Sequence, residues 1–324
     1  MDDNGKFLLI INPVSGTDSK KDLAERLVAR FRQNGFEADV AFTEYAGHGK
    51  ELASQALKKK YCGIIACGGD GTVNEIASAL VGSKMPLGII PVGSGNGLAR
   101  HACLPMDPLK AVDVIVKREI KDCDYAVVNG KPFFCTFGVG FDASVSERFA
   151  AAKSRGKSTY IKCALKEFVN FRPEKYKITA DGEDLSQEAI IVAVCNANQY
   201  GNNAFIAPEA SITDGFLDLI IVKKSNRANI IRMSMDMMSG TLARNPHIVH
   251  RQIKEVIIER DSVKTAQLDG ESNSHFDEKI HITCVPGELR LFVNRDKKIF
   301  KAILTPMQNV MSDMAFSIKK MFKK

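Results

Sequence analysis

Three glycine-rich turns, each leaving an apolar run and leading into a helical stretch, constrain this chain more than any other feature. They are Asn12-Pro13-Val14-Ser15-Gly16, Gly68-Gly69-Asp70-Gly71-Thr72 and Pro91-Val92-Gly93-Ser94-Gly95-Asn96-Gly97. The runs before them, at 6–11, 63–67 and 87–91, read as strands, and 38–43 reads as a fourth. Between and after them, Leu23, Leu27, Val28 and Phe31 recur at helical spacing, and 51–60, 73–81 and 108–117 are helix-like. Alternating strands and helices predict a parallel sheet with helices on both faces. In such a sheet these turns lie at the carboxyl ends of the strands, where ligands bind. Glycine there lets the backbone approach a ligand, and a following helix N-terminus offers free N–H groups to phosphate. Each turn taken alone is also ordinary strand-to-helix punctuation.

After about Cys123 the texture changes. Short β-rich runs at 176–180, 189–195, 216–222, 256–258, 280–284 and 289–293 are separated by Asp181-Gly182, Asp214-Gly215, Asp269-Gly270 and Pro286-Gly287. This predicts an antiparallel sandwich or barrel, interrupted by helices near 160–171 and 229–238. The expected organisation is α/β: an α/β domain over 1–123 and a β-rich domain over 124–297, with 298–324 packing back on the first. The cleft between the two domains is the default ligand site.

The chemistry-bearing residues admit more than one reading at this level. Thr72 and Glu75 fit a Thr-x-x-Glu capping box, which needs no ligand. Asp70 could meet a water-bound Mg²⁺ or simply brace its own loop. Asp-Gly-Glu occurs at 181–183 and again at 269–271, and both read as hairpin turns. There is no G-x-x-x-x-G-K-[ST], so a Walker-type ATPase is excluded, and Gly138-Val-Gly-Phe-Asp-Ala143 lies outside the βαβ region where a dinucleotide motif has meaning. His247 and His250 have no further ligand nearby to complete a zinc set. Met233, Met235, Met237 and Met238 suit a core or a lipid-facing helix better than a cofactor site. The eight cysteines include no C-x-x-C pair, as expected for reduced thiols.

Taken in order, Asn12-Pro-Val-Ser-Gly16, Gly68-Gly-Asp-Gly-Thr-Val-Asn-Glu75 and Pro91-Val-Gly-Ser-Gly-Asn96 resemble the catalytic domain of the diacylglycerol kinase and sphingosine kinase superfamily, closest to its soluble bacterial lipid-kinase branch. Asn196-Ala-Asn-Gln-Tyr-Gly201 with Ala207-Pro208, Asp214-Gly-Phe-Leu-Asp218 and Leu268-Asp-Gly-Glu271 are similar to that branch's second domain. The resemblance implies a first domain like those of NAD kinases and phosphofructokinases, then a β-sandwich. It implies transfer of the γ-phosphoryl group of ATP to a lipid hydroxyl. ATP-binding positions are implied at Asn12, Pro13, Ser15, Gly16, Thr43, Gly69, Asp70, Gly71, Thr72, Asn74, Glu75, Ser94, Gly95 and Asn96. A Mg²⁺ site is implied at Ser211, Asp214 and Phe216, and Glu271 matches the family's proton acceptor, with Asp70 beside it in the catalytic set. Ser94 and Asn96-Gly97 are closer to the sphingosine-kinase form of the third motif, and Gly201-Asn202-Asn203 departs from a three-glycine run. The acceptor therefore stays open between diacylglycerol, a sphingoid base and ceramide, beside a nucleotide-binding regulator without turnover.

Lys plus Arg exceeds Asp plus Glu by 45 to 38, a net charge of +7, and residues 296–324 alone hold seven Lys against two Asp. With the body near neutral, a nucleic-acid partner is not expected. Apolar residues at 310, 311, 314, 315, 318, 321 and 322 share one helical face beside Lys319, Lys320, Lys323 and Lys324. Such a segment, 308–324, can lie on a membrane surface or dock on the first domain. No apolar run approaches the roughly 18 residues of a membrane span, and the N-terminal residues lack a signal-peptide pattern. The expected setting is cytoplasmic, peripheral to the membrane where the lipid lies, and a homo-oligomer is compatible.

Overall fold

The computed structural model describes residues 5–16, 20–141, 173–201, 203–225 and 227–295. Strands β1 (Lys6–Ile11), β2 (Glu37–Phe42), β3 (Gly63–Gly68) and β4 (Leu87–Pro91) are parallel, in the order β4-β3-β1-β2. Successive side chains of a strand face opposite ways. Ile65 and Cys67 therefore join Leu9, Ile11 and Ile90 under α1 (Lys20–Gln33) and α5 (Pro108–Ile115). Ile64 and Ala66 join Ile10 and Ile89 under α2 (His48–Ala56) and α3 (Asp70–Leu80). A sheet buried on both faces explains why these strands read as unbroken apolar runs. The chain runs from β1 out to β2, then returns past β1 to β3. The strand order thus reverses between β1 and β3, and the first two glycine-rich turns leave adjacent strands at that switch point.

Among the described residues twelve further strands follow: β5 (Ile120–Val128), β6 (Lys131–Phe133), β7 (Thr136–Gly140), β8 (Glu174–Ala180), β9 (Glu183–Asp184), β10 (Gln187–Cys195), β11 (Leu217–Lys223), β12 (Ile248–Ile253), β13 (Glu255–Glu259), β14 (Lys264–Leu268), β15 (Glu271–Phe276) and β16 (Lys279–Phe292). One layer is β8-β13-β16-β5 and the other is β14-β7-β10-β11-β12. Ile178, Val256, Ile258, Ile280 and Ile282 of the first layer meet Phe137, Val139, Val192, Val194, Leu219 and Ile221 of the second in one core. This is the expected sandwich. Helix α6 (Arg227–Ser239) covers the outer face of the second layer, burying Met233 while Met235 stays exposed. The expected helix at 160–171 and the segment 298–324 lie outside the described residues.

The expected break at Pro286-Gly287 does not separate two strands. β16 is continuous, and its register with β5 shifts between Val285 and Leu289. This is a bulge, with Gly287 at φ 69°. Beyond it β16 pairs in parallel with β4 at Leu291 and Leu87. Phe292 enters the α/β core, its ring 6.1 Å from that of Phe7. The last strand of the sandwich thus also extends the parallel sheet, lying between β4 and β5. Among the described residues the sheets hold together through it. Strands β12, β14 and β15, with sequences IVHRQI, KTAQL and ESNSHF, escape a hydrophobicity reading because polar residues fill them.

Candidate functional site

Helix α3 starts at Asp70, with an extended Gly69 as its N-cap and no side-chain cap. Thr72 is therefore the third residue of the helix and not its cap. The expected capping box does not form. The Thr72 hydroxyl instead accepts a hydrogen bond from Asn12 Nδ2 at 2.9 Å, joining the first two glycine-rich turns. The Glu75 carboxylate reaches α2, accepting from the N–H groups of Gly47 (2.7 Å) and Gly49 (3.0 Å). Gly47, the N-cap of α2, has no side chain with which to do this.

Asp70 reaches a loop other than its own. Its Oδ2 accepts from Asn96 N at 2.9 Å and its Oδ1 from Gly97 N at 2.7 Å, so it braces the third loop. Burial pushes its carboxyl up to about 6, against the pull of those two amides. Asn96 is buried in the left-handed region at φ 57°, and its own amide donates to Gly93 O at 2.9 Å. Gly93 packs on Gly69 so closely that a Cβ would overlap the Gly69 backbone. Ser94 stays exposed at the loop tip. Arg100, on the short helix α4 (Gly97–His101), donates to Gly95 O at 3.0 Å and to Asn203 Oδ1 at 3.1 Å. It ties this loop to the segment after β10.

In the first turn Asn12 Oδ1 accepts from Val14 N at 3.0 Å, leaving Pro13 and Gly16 exposed and Ser15 half-buried. Thr43 is buried at the end of β2, where its N–H donates to Ile11 O at 2.9 Å. The second domain contributes from across the crevice. Asp269 (φ 49°) and Gly270 (φ 85°) make a two-residue turn of type I′ between β14 and β15, and Glu271 follows it. A Cβ built on Gly71 would overlap the Glu271 carboxylate. The proton-acceptor candidate therefore sits against the start of α3. Asp181 (φ 47°) and Gly182 (φ 86°) make the same turn, yet Glu183 is turned out, with its side chain 60% exposed and 3.9 Å from Arg251 Nε. The fold thus separates two sequences that are locally alike.

Asp269 is a residue the sequence reading passed over as turn punctuation. It is buried and accepts from the N–H groups of Phe134 (3.0 Å), Cys135 (2.7 Å) and Thr136 (3.1 Å), and from Asn74 Nδ2 (2.8 Å). Burial raises its pKa, and these donors oppose the rise. No local signal distinguishes it from Asp181, because its partners come from distant segments.

Ser211, Asp214 and Phe216 lie on one turn before β11. Asp214 accepts from Phe216 N at 3.1 Å and from Gln252 Nε2 at 3.3 Å. Asp124, also missed by sequence, accepts from Gly215 N and Gly287 N, both at 2.8 Å. Burial raises the Asp214 pKa, helped by the carboxylates of Asp218 and Asp124. Asp218 is held by His250 Nε2 at 2.5 Å, and His247 pairs with Asn229 at 2.9 Å, so the two histidines do not converge. One carboxylate amid backbone carbonyls and a hydroxyl is an all-oxygen donor set. That chemistry fits a hard divalent cation that keeps some waters. Among the described residues no cluster of three or more His, Cys, Asp or Glu is poised to hold a metal.

Comparison with known proteins covers both halves. Residues 6–128 match the family model for the diacylglycerol kinase catalytic domain, and 135–293 match that for the YegS C-terminal NAD kinase beta sandwich-like domain. The diacylglycerol kinase of Bacillus subtilis (strain 168) is 30% identical over 268 residues, 81% of this chain and 88% of that protein. That of Mycobacterium tuberculosis (strain ATCC 25618 / H37Rv) is 28% identical over 262 residues, 75% of this chain and 85% of that protein. The crystal structure of a diacylglycerol kinase from Bacillus anthracis str. Sterne superposes with a TM-score of 0.72 at 24% identity, over 90% of this chain and 98% of that one. At that identity the likeness speaks for the fold alone.

A carboxyl pushed up by burial favours its protonated form in the folded chain. For Asp70 that contribution to stability is complete below the ordinary value of 3.8 and is lost as pH rises through about 6. Asp70→Asn removes the titration. The Tm of wild type minus that of the variant should therefore fall between pH of about 4 and about 7. A difference that stays level or rises contradicts the buried carboxylate.

Proposed function

The chain belongs to the diacylglycerol kinase family and is an ATP-dependent lipid kinase, and we propose that it phosphorylates the free hydroxyl of diacylglycerol. The observation that carries this reading is the Glu271 carboxylate lying against Gly71, at the first turn of the uncapped helix α3. We assign nucleotide binding to residues 1–123 and lipid binding to 124–297. Asn12, Pro13, Ser15, Gly16, Thr43, Gly69–Thr72, Glu75 and Ser94–Asn96 are assigned to the nucleotide side, whereas Asn74, which the family pattern adds to them, turns its side chain to Asp269. On the nucleotide side the N–H groups of the α3 terminus would face the phosphates. Asp70 holds the third loop in shape. Glu271 accepts the proton of the lipid hydroxyl as that oxygen attacks the γ-phosphorus and ADP departs. The diacylglycerol kinase names of the relatives support this acceptor over a sphingoid base or ceramide.

The family's reaction uses ATP with a divalent cation, and we take that cation to be Mg²⁺. Asp214 would hold it with the carbonyls of Ser211 and Phe216. Held there, Mg²⁺ would supply positive charge to offset the negative charge of the phosphates. With Asp214→Ala, activity should need a higher Mg²⁺ concentration to saturate. An unchanged Mg²⁺ titration would place the cation elsewhere.

Among the described residues no helix is long and apolar enough to cross a membrane. A cytoplasmic protein acting on a bilayer lipid needs a surface contact, and we assign it to 308–324 on its charge and apolar face. Deleting 308–324 should lower activity on anionic vesicles more than on short-chain diacylglycerol in solution. Equal losses would make the segment structural.

The base assignment is tested by Glu271→Gln and Glu183→Gln, assayed with radiolabelled ATP and diacylglycerol in mixed micelles. Removing a general base costs about 10²–10⁴-fold in kcat. Glu271→Gln should show that loss with ATP affinity little changed, and Glu183→Gln should behave as wild type. Equal activity of the two variants overturns the role of Glu271.

A further inference from the structure

Asn74 lies one helical turn past the nucleotide loop, and the family pattern places it among the ATP contacts. Its side chain is engaged within the protein. Nδ2 donates to Asp269 Oδ2 at 2.8 Å and to Pro132 O at 3.3 Å, while Oδ1 faces Ser78 Oγ at 3.4 Å. At its other end this contact meets a buried carboxylate whose remaining acceptor capacity is filled by the N–H groups of Phe134, Cys135 and Thr136. Two residues further along a two-residue turn stands Glu271. The helix that begins beside Glu271 is thus also the helix that grips the turn presenting it.

We propose that Asn74 and Asp269 are positioning residues, forming a clamp between α3 and the β14–β15 turn that sets Glu271 against the nucleotide loop. This rests on Glu271 acting as the base. A type I′ turn has little freedom once its first residue is fixed, since both of its central residues need positive φ. Anchoring Asp269 therefore anchors Glu271. The Asn74 bond is the anchor that comes from the nucleotide-binding side. A misplacement of the order of 1 Å at a reacting group can cost about 10²-fold, so a clamp acting on position should alter kcat far more than nucleotide affinity.

The test uses the full chain, with kcat, KM for ATP and Tm measured together. Asn74→Ala keeps a good helix former and removes the bond. It should fold, lower kcat by about 10-fold or more and leave KM for ATP within about twofold. Asn74→Asp sets a carboxylate against Asp269 and should lose more. Adding Asp269→Asn to Asn74→Asp should restore most of that loss. The new amide oxygen can keep the strand N–H groups, and its nitrogen can donate to the new carboxylate on α3. A merely structural role would not produce rescue of kcat by this exchange.

A folded Asn74→Ala with unchanged kcat overturns the clamp, as does a rise in KM for ATP at constant kcat, which would make Asn74 a nucleotide ligand. A folded exchange variant no more active than Asn74→Asp also overturns it. Should the exchange variant fail to fold, Asn74→Ala alone decides. The two readings fail differently. Wild-type kcat in Glu271→Gln removes the base and the clamp together, whereas an inactive Glu271→Gln beside a silent Asn74→Ala removes only the clamp.

Discussion

The contact between Gly71 and the Glu271 carboxylate is the constraint on which the remaining geometry depends. It requires a residue without a side chain at the second position of α3 and a carboxylate projecting from the far domain into the same space. Neither half makes a kinase site alone. The α/β half supplies a crevice at a topological switch point, lined by backbone amides suited to phosphate. The β-sandwich supplies Glu271, the carboxylate we propose takes the proton from the acceptor. Phosphoryl transfer asks little of covalent chemistry and much of placement, so a structure that fixes this meeting has done most of what catalysis requires.

That meeting is held by groups remote in sequence. β16 passes from the sandwich into the parallel sheet, bending at the Gly287 bulge, where Asp124 accepts from Gly287 and Gly215. Asp70 shapes the third loop, Glu75 caps α2 and Asp269 gathers β7 and α3. Three buried or half-buried carboxylates near the glycine-rich turns thus satisfy backbone N–H groups that would otherwise be unpaired. The glycine-rich loops need this because they have few side chains of their own.

The first half of this architecture is legible in the sequence because its strands are buried on both faces and read as continuous apolar runs. The edges of β1 and β4 emerge at the residues expected, 6–11 and 87–91. The second half is less legible. β14 and β15 carry Lys264, Gln267, Glu271, Ser272 and Asn273, which no hydrophobic pattern marks as strand. Thr72 and Glu75 satisfy a local capping rule, but their partners Asn12 and Gly47 come from other turns and change both roles. Glu271 and Glu183 are equal by local sequence. Only the placement of their hairpins, one over α3 and one at the outer edge of β8, separates them. Asp269 could not be singled out because what defines it is the set of distant donors it collects.

The central claim is that nucleotide binds where the three glycine-rich turns face Glu271. Hydrogen exchange with and without MgADP tests it directly. Slowed exchange should appear at 12–16, 68–75 and 93–97, and across the crevice at 269–272. The turns at the opposite end of the sheet, at 57–62 and 82–86, should be unchanged. Protection confined to that opposite end, or none at 68–75, would contradict the account.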